Sequence, residues 1–491
     1  MPQPIYLTAD IRRIEEKAGT VTPSLMERAG AAAADLAAQL VSDRGKDVLV
    51  LAGPGNNGGD AYEVAANLKA QFFRVSVVSP ADPEKFPPDA RRAHRKWLDA
   101  GGEVLAAVPP ERKWALVVDG LFGIGLARVP DGEYAKLIAL ANAQDCPVLA
   151  LDIPSGLASD TGRVLGHAAR ATHTCTFIAL KPGLLTLDGP DHCGTVTVAN
   201  LGFEPGTLVA PSAWVAEPDL FANVLKPRPR NFHKGQAGSA CILGGASGMV
   251  GAALLAGRAA LALGAGRVYV GMLAHDAPAV DPVAPELMLR HPDDALGMEL
   301  DALVVGPGLG QSERADTLVA AALASDIPCV LDADALNLIA ENADLKGACV
   351  RRKADTLLTP HPAEAARLLG ANTSEVQQDR LRAAQQLSRE FNTHVVLKGA
   401  GSILVARDGH WFINRSGNSG MASAGMGDVL SGFLGALLGQ GCTGEAALAL
   451  GVHLHGCAAD ELVRAGSGPV GLAAGELIEP ARRLWNRWLA A

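Results

Sequence analysis

Short apolar strands that run directly into loops of glycine and acidic residues constrain the fold of this chain more than any other feature. The strand Asp47–Ala52 leads into residues 53–60 (GPGNNGGD), and residues 302–305 lead into residues 306–310 (GPGLG). Further strands with such ends are expected at residues 116–119, 148–152, 328–331, 356–359 and 395–398. Alternation of strand, glycine loop and helix builds parallel sheets whose ligands bind beyond the carboxyl ends of the strands. The sequence therefore predicts an α/β protein with largely parallel sheets flanked by helices.

Chain length and one proline-rich segment indicate two domains. A chain of 491 residues exceeds a single hydrophobic core, which stops growing beyond about 250–300 residues. Residues 202–229 are rich in proline and mixed in polarity, as expected of a connection between domains. The boundary is expected near residues 210–225, which gives domains at residues 1–215 and 216–491.

Charge and composition exclude several classes of function. The net charge of -9 argues against binding to nucleic acid or to an anionic membrane surface. Residues 1–13 hold no apolar signal segment, and no apolar run is long enough to span a bilayer. The eight cysteines are scattered without a Cys-x-x-Cys pair, which predicts buried thiols in a reducing compartment. The chain is expected to be cytoplasmic.

Oxygen-bearing side chains follow three strands of the first half. Residues 56–60 (NNGGD), Asp119, Asp152 and Ser155 are expected to meet at one edge of the sheet, which predicts a ligand site. Each residue has an ordinary alternative, since asparagines tolerate turn conformations and acids often cap helices. Lys181, which follows another strand, either meets a phosphate or is a solvated loop cation.

In the second half, residues 417–428 (GNSGMASAGMGD) precede the apolar run of residues 429–438. Glycines let backbone N–H groups crowd together, and a helix N-terminus adds partial positive charge, so this stretch predicts an anion cradle. The alternative is a glycine-rich loop between packed helices. Asp428 favours the cradle, because an acid tolerated beside an anion site is often a base for a substrate hydroxyl.

Taken together, these loops resemble one known family. They are NNGGD at 56–60, DGLFG at 119–123, DIPSG at 152–156, GPGLG at 306–310, DADALN at 332–337, TPHP at 359–362, KGA at 398–400 and the stretch at 417–428. The chain resembles bifunctional NAD(P)HX repair enzymes, in which an NAD(P)H-hydrate epimerase is fused to an ADP/ATP-dependent NAD(P)H-hydrate dehydratase. The resemblance implies a Rossmann-like N-terminal domain and a ribokinase-like C-terminal domain. It also implies that the first interconverts the R and S hydrates and that the second dehydrates the S form while hydrolysing ADP or ATP.

The resemblance assigns roles in the epimerase half. Binding of the hydrate is implied for Asn56, Asn57, Gly58, Gly59, Asp60, Gly123, Ile124, Gly125, Leu126, Ala127, Arg128, Val129 and Asp152. Oxygens of Asn57, Asp119 and Ser155 would coordinate a potassium ion. Asp152 is the candidate acid/base for epimerisation. Four residues depart from the usual family pattern, and they bear on whether this half is fully active: Pro54, Ala61, Ile124 and Val129.

In the dehydratase half, hydrate binding is implied for Ala252, Gly308 or Gly310, His361 and Asp428. The nucleotide would be held by Lys398, Gly399, Ala400, Gly401, Ser402 and Gly427, with Mg²⁺ on its phosphates. Hydroxide is a poor leaving group, so phosphorylation of the C6 hydroxyl, with Asp428 as the base, would make elimination possible. Related enzymes also suggest a homo-oligomer.

The same residues are compatible with one alternative function. The glycine cradle and Asp428 would also suit a ribokinase-type small-molecule kinase whose N-terminal domain is a non-catalytic ligand-binding or scaffold domain. A phosphorylated product that accumulates, with no NAD(P)H regenerated, would favour this kinase.

Overall fold

The computed structural model describes residues 2–41, 45–110, 112–222 and 224–490. Residues 3–214 form one compact unit, and residues 215–491 form most of a second. Each unit is built around a largely parallel sheet with helices packed against it. The predicted α/β class is therefore confirmed.

Helices and strands alternate along the first unit. Its described helices are α1 Thr8–Ala18, α2 Leu25–Leu40, α3 Asn56–Ala70, α4 Pro88–Asp99, α5 Gly132–Asn142 and α6 Gly189–Cys193. Its described strands are β1 Pro4–Ile5, β2 Asp47–Ala52, β3 Arg74–Val78, β4 Val104–Leu105, β5 Leu116–Gly120, β6 Val148–Leu151, β7 His173–Phe177, β8 Thr195–Ala199 and β9 Ala213–Val215, which crosses the boundary.

The main sheet of this unit is parallel throughout. Among the described residues its seven strands lie in the order β4-β3-β2-β5-β6-β7-β8. The order reverses between β2 and β5, because the chain builds outward from β2 on one side and from β5 on the other. Ligands of open α/β sheets bind at such a reversal, beyond the carboxyl ends of the strands. The loops after β2 and β5 are therefore the expected walls of a site.

The side chains of β2 alternate between two hydrophobic cores. Val48 and Val50 pack in a cluster with Ala33 of α2, whereas Leu49 and Leu51 belong to a second cluster on the other face. A strand buried on both faces reads as a continuous apolar run, which is why β2 could be predicted from its sequence.

Two local features of the first unit were not predicted from the sequence. Residues 8–40 hold two helices, and the chain breaks between α1 and α2 at a segment that contains Pro23. Helix α3 begins at Asn56, so residues 56–60, which were expected to belong to the loop after β2, form its first turn. The strong turn preference of asparagine and glycine concealed this early start.

The second unit has more helices. Those described are α7 Val250–Ala262, α8 Pro292–Leu296, α9 Glu313–Ala324, α10 Asp334–Glu341, α11 Ala343–Arg351, α12 Pro362–Leu369, α13 Thr373–Gln378, α14 Arg380–Phe391, α15 Met426–Gly439, α16 Gly444–Arg464 and α17 Ile478–Ala490. The described strands are β10 Ser239–Gly244, β11 Arg267–Met272, β12 Met288–Arg290, β13 Ala302–Val305, β14 Cys329–Leu331, β15 Thr356–Leu358, β16 His394–Leu397, β17 Ser402–Val405 and β18 Trp411–Asn414.

The sheet of the second unit is also largely parallel and also reverses its strand order. Nine of its described strands lie in the order β18-β17-β16-β15-β14-β13-β10-β11-β12. In this order, the neighbours from β16 onwards pair in parallel, whereas β17 pairs antiparallel with both β16 and β18. The order reverses between β10 and β13, so the loops after these two strands flank the expected site. Helix α15 packs closely on α7, where a Cβ on Gly432 would lie only 2.1 Å from the carbonyl oxygen of Ala256.

Candidate active sites

A cavity of about 490 Å³ lies at the strand-order reversal of the first unit. Several predicted hydrate-binding residues line it: Asn56, Asn57, Asp60, Gly123, Ile124, Gly125, Leu126, Ala127, Arg128 and Asp152. Helix α1 adds Ile11, Arg12 and Glu15, which in the sequence look like part of an ordinary charged helix. The structure thus brings together residues from the ends of β2, β5 and β6 with one face of α1.

Three predicted residues do not line this cavity. Gly58 lies where a Cβ would approach the carbonyl oxygen of Gly53 to 2.0 Å, and at Gly59 a Cβ would come within 2.8 Å of the Ala90 Cα. These glycines allow close backbone packing of α3. Val129 is 55% exposed at the end of its loop.

The four departures from the usual family pattern leave the cavity open. Pro54 and Ile124 lie in its wall, Ala61 is a buried residue of α3, and Val129 is exposed.

The Asn57 side chain is buried without hydrogen-bond partners. Neither its Oδ1 nor its Nδ2 has a partner among the described residues, although both atoms are buried. The side chain lies against Gly123, where a Cβ in place of the glycine hydrogen would be 3.2 Å from Asn57 Oδ1. An unsatisfied buried amide is costly and signals a missing partner. Asn57 Oδ1 is therefore suited to coordinate a cation or to accept a hydrogen bond from a ligand.

Asp119 and Ser155 are tied to each other at the same sheet edge. The Ser155 hydroxyl donates to Asp119 Oδ1 at 2.6 Å, and the Ser155 N–H donates to Asp119 Oδ2 at 2.8 Å. The N–H of Phe122 donates to Ser155 Oγ at 2.8 Å, which fixes the loop beside Gly123. Burial raises the pKa of Asp119 above its ordinary value. A cation at this edge would offset the cost of the buried carboxylate.

Asp152 pairs with Lys181 at the base of the cavity. Lys181 is fully buried, and its ammonium donates to Asp152 Oδ1, to Thr176 Oγ1 at 2.8 Å and to the Phe177 carbonyl at 2.7 Å. Neither alternative raised for Lys181 from the sequence is correct, since it meets no solvent and already has a carboxylate. Asp152 itself has φ 64°, a strained value for a non-glycine residue. Such strain persists where the surroundings hold the residue firmly, as at functional sites.

Removing the buried ammonium should destabilise the first unit. We expect Lys181→Met to lower the free energy of unfolding by about 3–5 kcal/mol, because Asp152 would be left as an uncompensated buried carboxylate. Urea denaturation measures this loss. Lys136→Met, which removes an exposed ammonium paired with Glu133, is the matched control and should change stability by less than about 1 kcal/mol. Equal stability of the two variants would contradict the structural role of the pair.

Two further carboxylates face the same cavity. Burial raises the pKa of Asp60 well above its ordinary value, and the charges of Asp152, Glu15 and Glu63 add to the effect. Glu15 is exposed along α1, yet the protein around its carboxyl group removes enough water to raise its pKa, with Asp152 contributing. Proton-transfer sites are where such shifts cluster.

In the second unit, the predicted cradle is the N-terminus of α15. Gly425 has φ 89°, a left-handed conformation that precedes the first helical residue, Met426. Asp428 lies in the first turn of this apolar helix. Burial raises the pKa of Asp428 to about 6, and Asp332 adds to the shift while Lys398 opposes it. A carboxylate with a pKa near neutrality is well matched to act as a general base.

Lys398 lies directly beside this helix N-terminus. Its ammonium donates to Asp332 Oδ1 at 2.9 Å and lies 3.9 Å from Glu364. A Cβ on Gly427 would be 3.3 Å from Lys398 Nζ. Ser431, one turn further along α15, donates to Asp332 Oδ2 at 2.7 Å.

The buried Asp332 therefore holds the Lys398 ammonium against α15. Although burial favours the neutral acid, Lys398 and hydrogen bonds from neighbouring groups keep the pKa of Asp332 below its ordinary value. No role was predicted for Asp332 or Glu364 from the sequence. Their position after β14 and β15 was the available signal.

The other predicted dehydratase residues divide into two places. Gly308 lies beside Ala252, where a Cβ on Gly308 would be 3.1 Å from the Ala252 Cβ, and the Gly310 N–H donates to Asp334 at 2.8 Å. These residues follow β10 and β13, at the strand-order reversal. His361 instead caps α12 through its side chain and lies 3.4 Å from Glu364.

The predicted nucleotide loop joins β16 to β17. Gly399 has φ 146° and approaches Arg380, and the Gly399 N–H donates to Ser402 Oγ at 3.3 Å. Ala400 and Gly401 complete the turn. Lys398, which directly follows β16 and begins this loop, is the residue that lies beside the N-terminus of α15.

Comparison with known proteins identifies the family. The family described as YjeF-related protein N-terminus matches residues 22–183, and that described as NAD(P)H-hydrate dehydratase matches residues 240–480. The bifunctional NAD(P)H-hydrate repair enzyme Nnr of Escherichia coli (strain K12) is 39% identical over 505 residues, covering 99% of this chain and 95% of that relative. The chain belongs to the family of bifunctional NAD(P)H-hydrate repair enzymes.

Two further relatives, one bifunctional enzyme and one dehydratase, support this family assignment. The Nnr enzyme of Vibrio cholerae serotype O1 is 39% identical over 502 residues, covering 99% of each chain. The ADP/ATP-dependent NAD(P)H-hydrate dehydratase of Bacillus subtilis, co-crystallised with ATP and Mg²⁺, matches 56% of this chain and 98% of its own. It is 31% identical, with a TM-score of 0.51. The family resemblance predicted from the motifs is confirmed, together with an epimerase joined to a nucleotide-dependent dehydratase.

The described residues include no membrane-spanning helix, no clustered metal ligands and no disulfide. Among the described residues, none of the helices is long and apolar enough to cross a membrane. In the same part of the chain, no group of three or more His, Cys, Asp and Glu side chains is arranged to hold a metal ion. All eight cysteines are free thiols, five of them buried.

Proposed function

We propose that residues 1–215 are the epimerase domain and residues 216–491 the dehydratase domain of a cytoplasmic enzyme that repairs hydrated NADH and NADPH. The observation that carries this proposal is the pairing of the two sites with the two strand-order reversals. In the first unit the motif residues and Asp152 line the cavity at that point. In the second unit Ala252, Gly308 and Gly310 lie there, and Asp428 lies in the first turn of α15, close to Lys398 and Asp332. We further propose a homo-oligomer.

In the epimerase domain, the cavity would hold the hydrated nicotinamide beside Asp152. The Asp152 carboxylate, oriented by Lys181, would transfer a proton to or from the oxygen at C6 while the configuration there inverts. Asn57, Asp119 and Ser155 would hold potassium, and the unsatisfied Asn57 Oδ1 supports this assignment. One carboxylate with neutral oxygens suits a weakly charged monovalent ion better than a divalent one.

In the dehydratase domain, Asp428 would take the proton of the C6 hydroxyl as its oxygen attacks the terminal phosphoryl group of the nucleotide. Backbone N–H groups of Gly425 to Gly427 and the Lys398 ammonium would stabilise the charge on the transferring group. The phosphate then leaves from C6, and loss of the C5 proton forms the C5–C6 double bond. The products are NAD(P)H, inorganic phosphate and the shortened nucleotide.

Mg²⁺ would accompany the nucleotide phosphates and neutralise part of their charge. The nearby Asp332 carboxylate is already occupied, because it accepts hydrogen bonds from Lys398 and Ser431. The phosphates and water would therefore supply most of the ligands, which is the usual arrangement for Mg²⁺. The ATP and Mg²⁺ used with the Bacillus subtilis relative support this assignment.

The dehydratase should lose activity in mild acid. Asp428 must be ionised to act as a base, and its pKa is raised to about 6, so the fraction of competent enzyme falls as pH drops through about 6. We expect kcat/KM for the S hydrate to fall about tenfold for each pH unit below that value. Initial rates of NADH formation between pH 5 and pH 8 measure this profile. A rate that stays constant down to pH 5 would contradict the role of Asp428.

Product analysis distinguishes this function from that of a small-molecule kinase. With the S hydrate of NADH and ATP, we expect NADH, ADP and inorganic phosphate in equal amounts, measured by chromatography and mass spectrometry. A phosphorylated hydrate that accumulates without NADH would instead favour the kinase and overturn the proposal.

A further inference from the structure

Helix α1 brings one more carboxylate, that of Glu15, to the epimerase cavity beside Asp152 and Asp60. Ile11 and Ile14 are buried and anchor one side of this helix in the core. Glu15 follows Ile11 by four residues, so the two lie on the same face of the helix, and both line the cavity with Asp152. Glu15 thus reaches the site from an element outside the strand-end motifs.

Glu15 and Asp152 differ sharply in their partners. Asp152 accepts hydrogen bonds from Lys181 and from the Phe177 N–H at 3.2 Å. Within the described part of the chain, the Glu15 carboxylate has neither a hydrogen bond nor an ion pair. A carboxylate left free at a cavity wall is available to a ligand. Two carboxyl groups in contrasting environments are the usual arrangement for an acid and a base.

We propose that Glu15 is the second proton-transfer residue of the epimerase and that it acts together with Asp152. This inference rests on the proposed function of the first domain. Inversion at C6 requires the hydroxyl to leave one face of the ring and water to arrive on the other. A single carboxylate serves one face well, whereas the cavity has Asp152 just after β6 and Glu15 on α1, in addition to Asp60 on α3.

Inversion at C6 needs no reactant other than the hydrate and water. The C6–O bond breaks as the lone pair of the ring nitrogen forms a C6=N double bond, and the departing hydroxyl takes a proton from Glu15 to become water. A water molecule then adds to the opposite face of C6, its O–H bond breaks, and Asp152 receives the proton. The ring nitrogen regains its lone pair, and the reverse reaction starts from the opposite protonation state.

Several charged groups set the protonation of Glu15. Burial and Asp152 raise its pKa, whereas Lys181 and Arg12 act in the opposite direction. Asp60 faces the same groups from α3 and carries a raised pKa of its own. The active pair holds one proton, so the epimerase rate should fall on the alkaline side as Glu15 loses it. Removing the Glu15 carboxyl group should remove that alkaline loss.

Glu15→Gln tests the proposal directly. Purified R hydrate is incubated with the full-length protein without nucleotide, so that dehydration does not run, and the two epimers are separated by chromatography. We expect kcat for epimerisation to fall at least about 100-fold with KM changed less than about twofold. Glu15→Asp should recover part of the rate. Glu16→Gln, which changes an exposed neighbour that does not line the cavity, is the matched control and should keep the wild-type rate.

Two results would overturn the role of Glu15. One is an unchanged kcat in Glu15→Gln while the wild type epimerises normally. The other is wild-type product formed in ¹⁸O-labelled water that retains its original oxygen, since the C6–O bond would then not break. Failure of the wild type itself to epimerise would instead contradict the proposed function, so the two failures are distinguishable.

Discussion

Replacing Asp428 by asparagine is expected to abolish dehydration of the S hydrate. The substitution keeps the shape of the side chain but removes the base that accepts the C6 hydroxyl proton, and general bases contribute about 10²–10⁴-fold to rate. Asp428 is the carboxylate in the first turn of α15, and the nearby Asp332 is already held by Lys398 and Ser431. Initial rates with the S hydrate and saturating ATP measure the loss.

Thermal unfolding shows whether Asp428→Asn still folds and binds nucleotide, apart from its loss of catalysis. Nucleotide should still raise the thermal unfolding temperature of Asp428→Asn, because the helix N-terminus and Lys398 remain. Glu313→Gln, which removes a first-turn carboxylate from α9, is the matched control and should keep full activity. Undiminished dehydration by Asp428→Asn would exclude its role as the base.

Replacing Asp152 by asparagine is expected to separate the two activities. The S hydrate should be dehydrated at the wild-type rate, because Asp152 belongs to the first unit and Asp428 to the second. Conversion of the R hydrate should fall by about 10²–10⁴-fold, towards its spontaneous rate, because the carboxylate that Lys181 orients has been lost.

A neighbouring acid provides the control for this second variant. Asp145 is exposed and precedes β6, the same strand that Asp152 follows, but it does not line the cavity. Asp145→Asn should leave both activities unchanged. Use of the R hydrate at the wild-type rate by Asp152→Asn would show that another group performs epimerisation.

The strands and their terminal residues could be predicted because burial on both faces leaves an unambiguous apolar run. β2 and β13 match the expected bounds, and the loops that follow them do flank the two sites. The start of α3 could not be predicted. Asn56 to Asp60 have strong turn preferences, and only the packing of Gly58 and Gly59 against neighbouring backbone makes a helix possible there.

The partners of the candidate catalytic residues could not be predicted from the sequence for a different reason. For Lys181 the sequence left a phosphate contact and a solvated loop cation open, and its burial follows from tertiary packing around Asp152, which no local pattern encodes. Glu15 lies in a helix with several charged residues, and only its position against the cavity separates it from Glu16. Contacts between distant segments are set by the whole fold, so motifs identified the carboxylates but not what surrounds them.

The fate of a mixture of both epimers decides whether the two domains work together. A mixture of R and S hydrates of NADH is supplied with excess ATP, and NADH is followed by absorbance until the signal stops rising. We predict complete conversion, because the first domain converts the R form into the S form that the second domain consumes. A plateau at the fraction of S hydrate initially present, with only slow spontaneous drift afterwards, would contradict an active epimerase beside an active dehydratase.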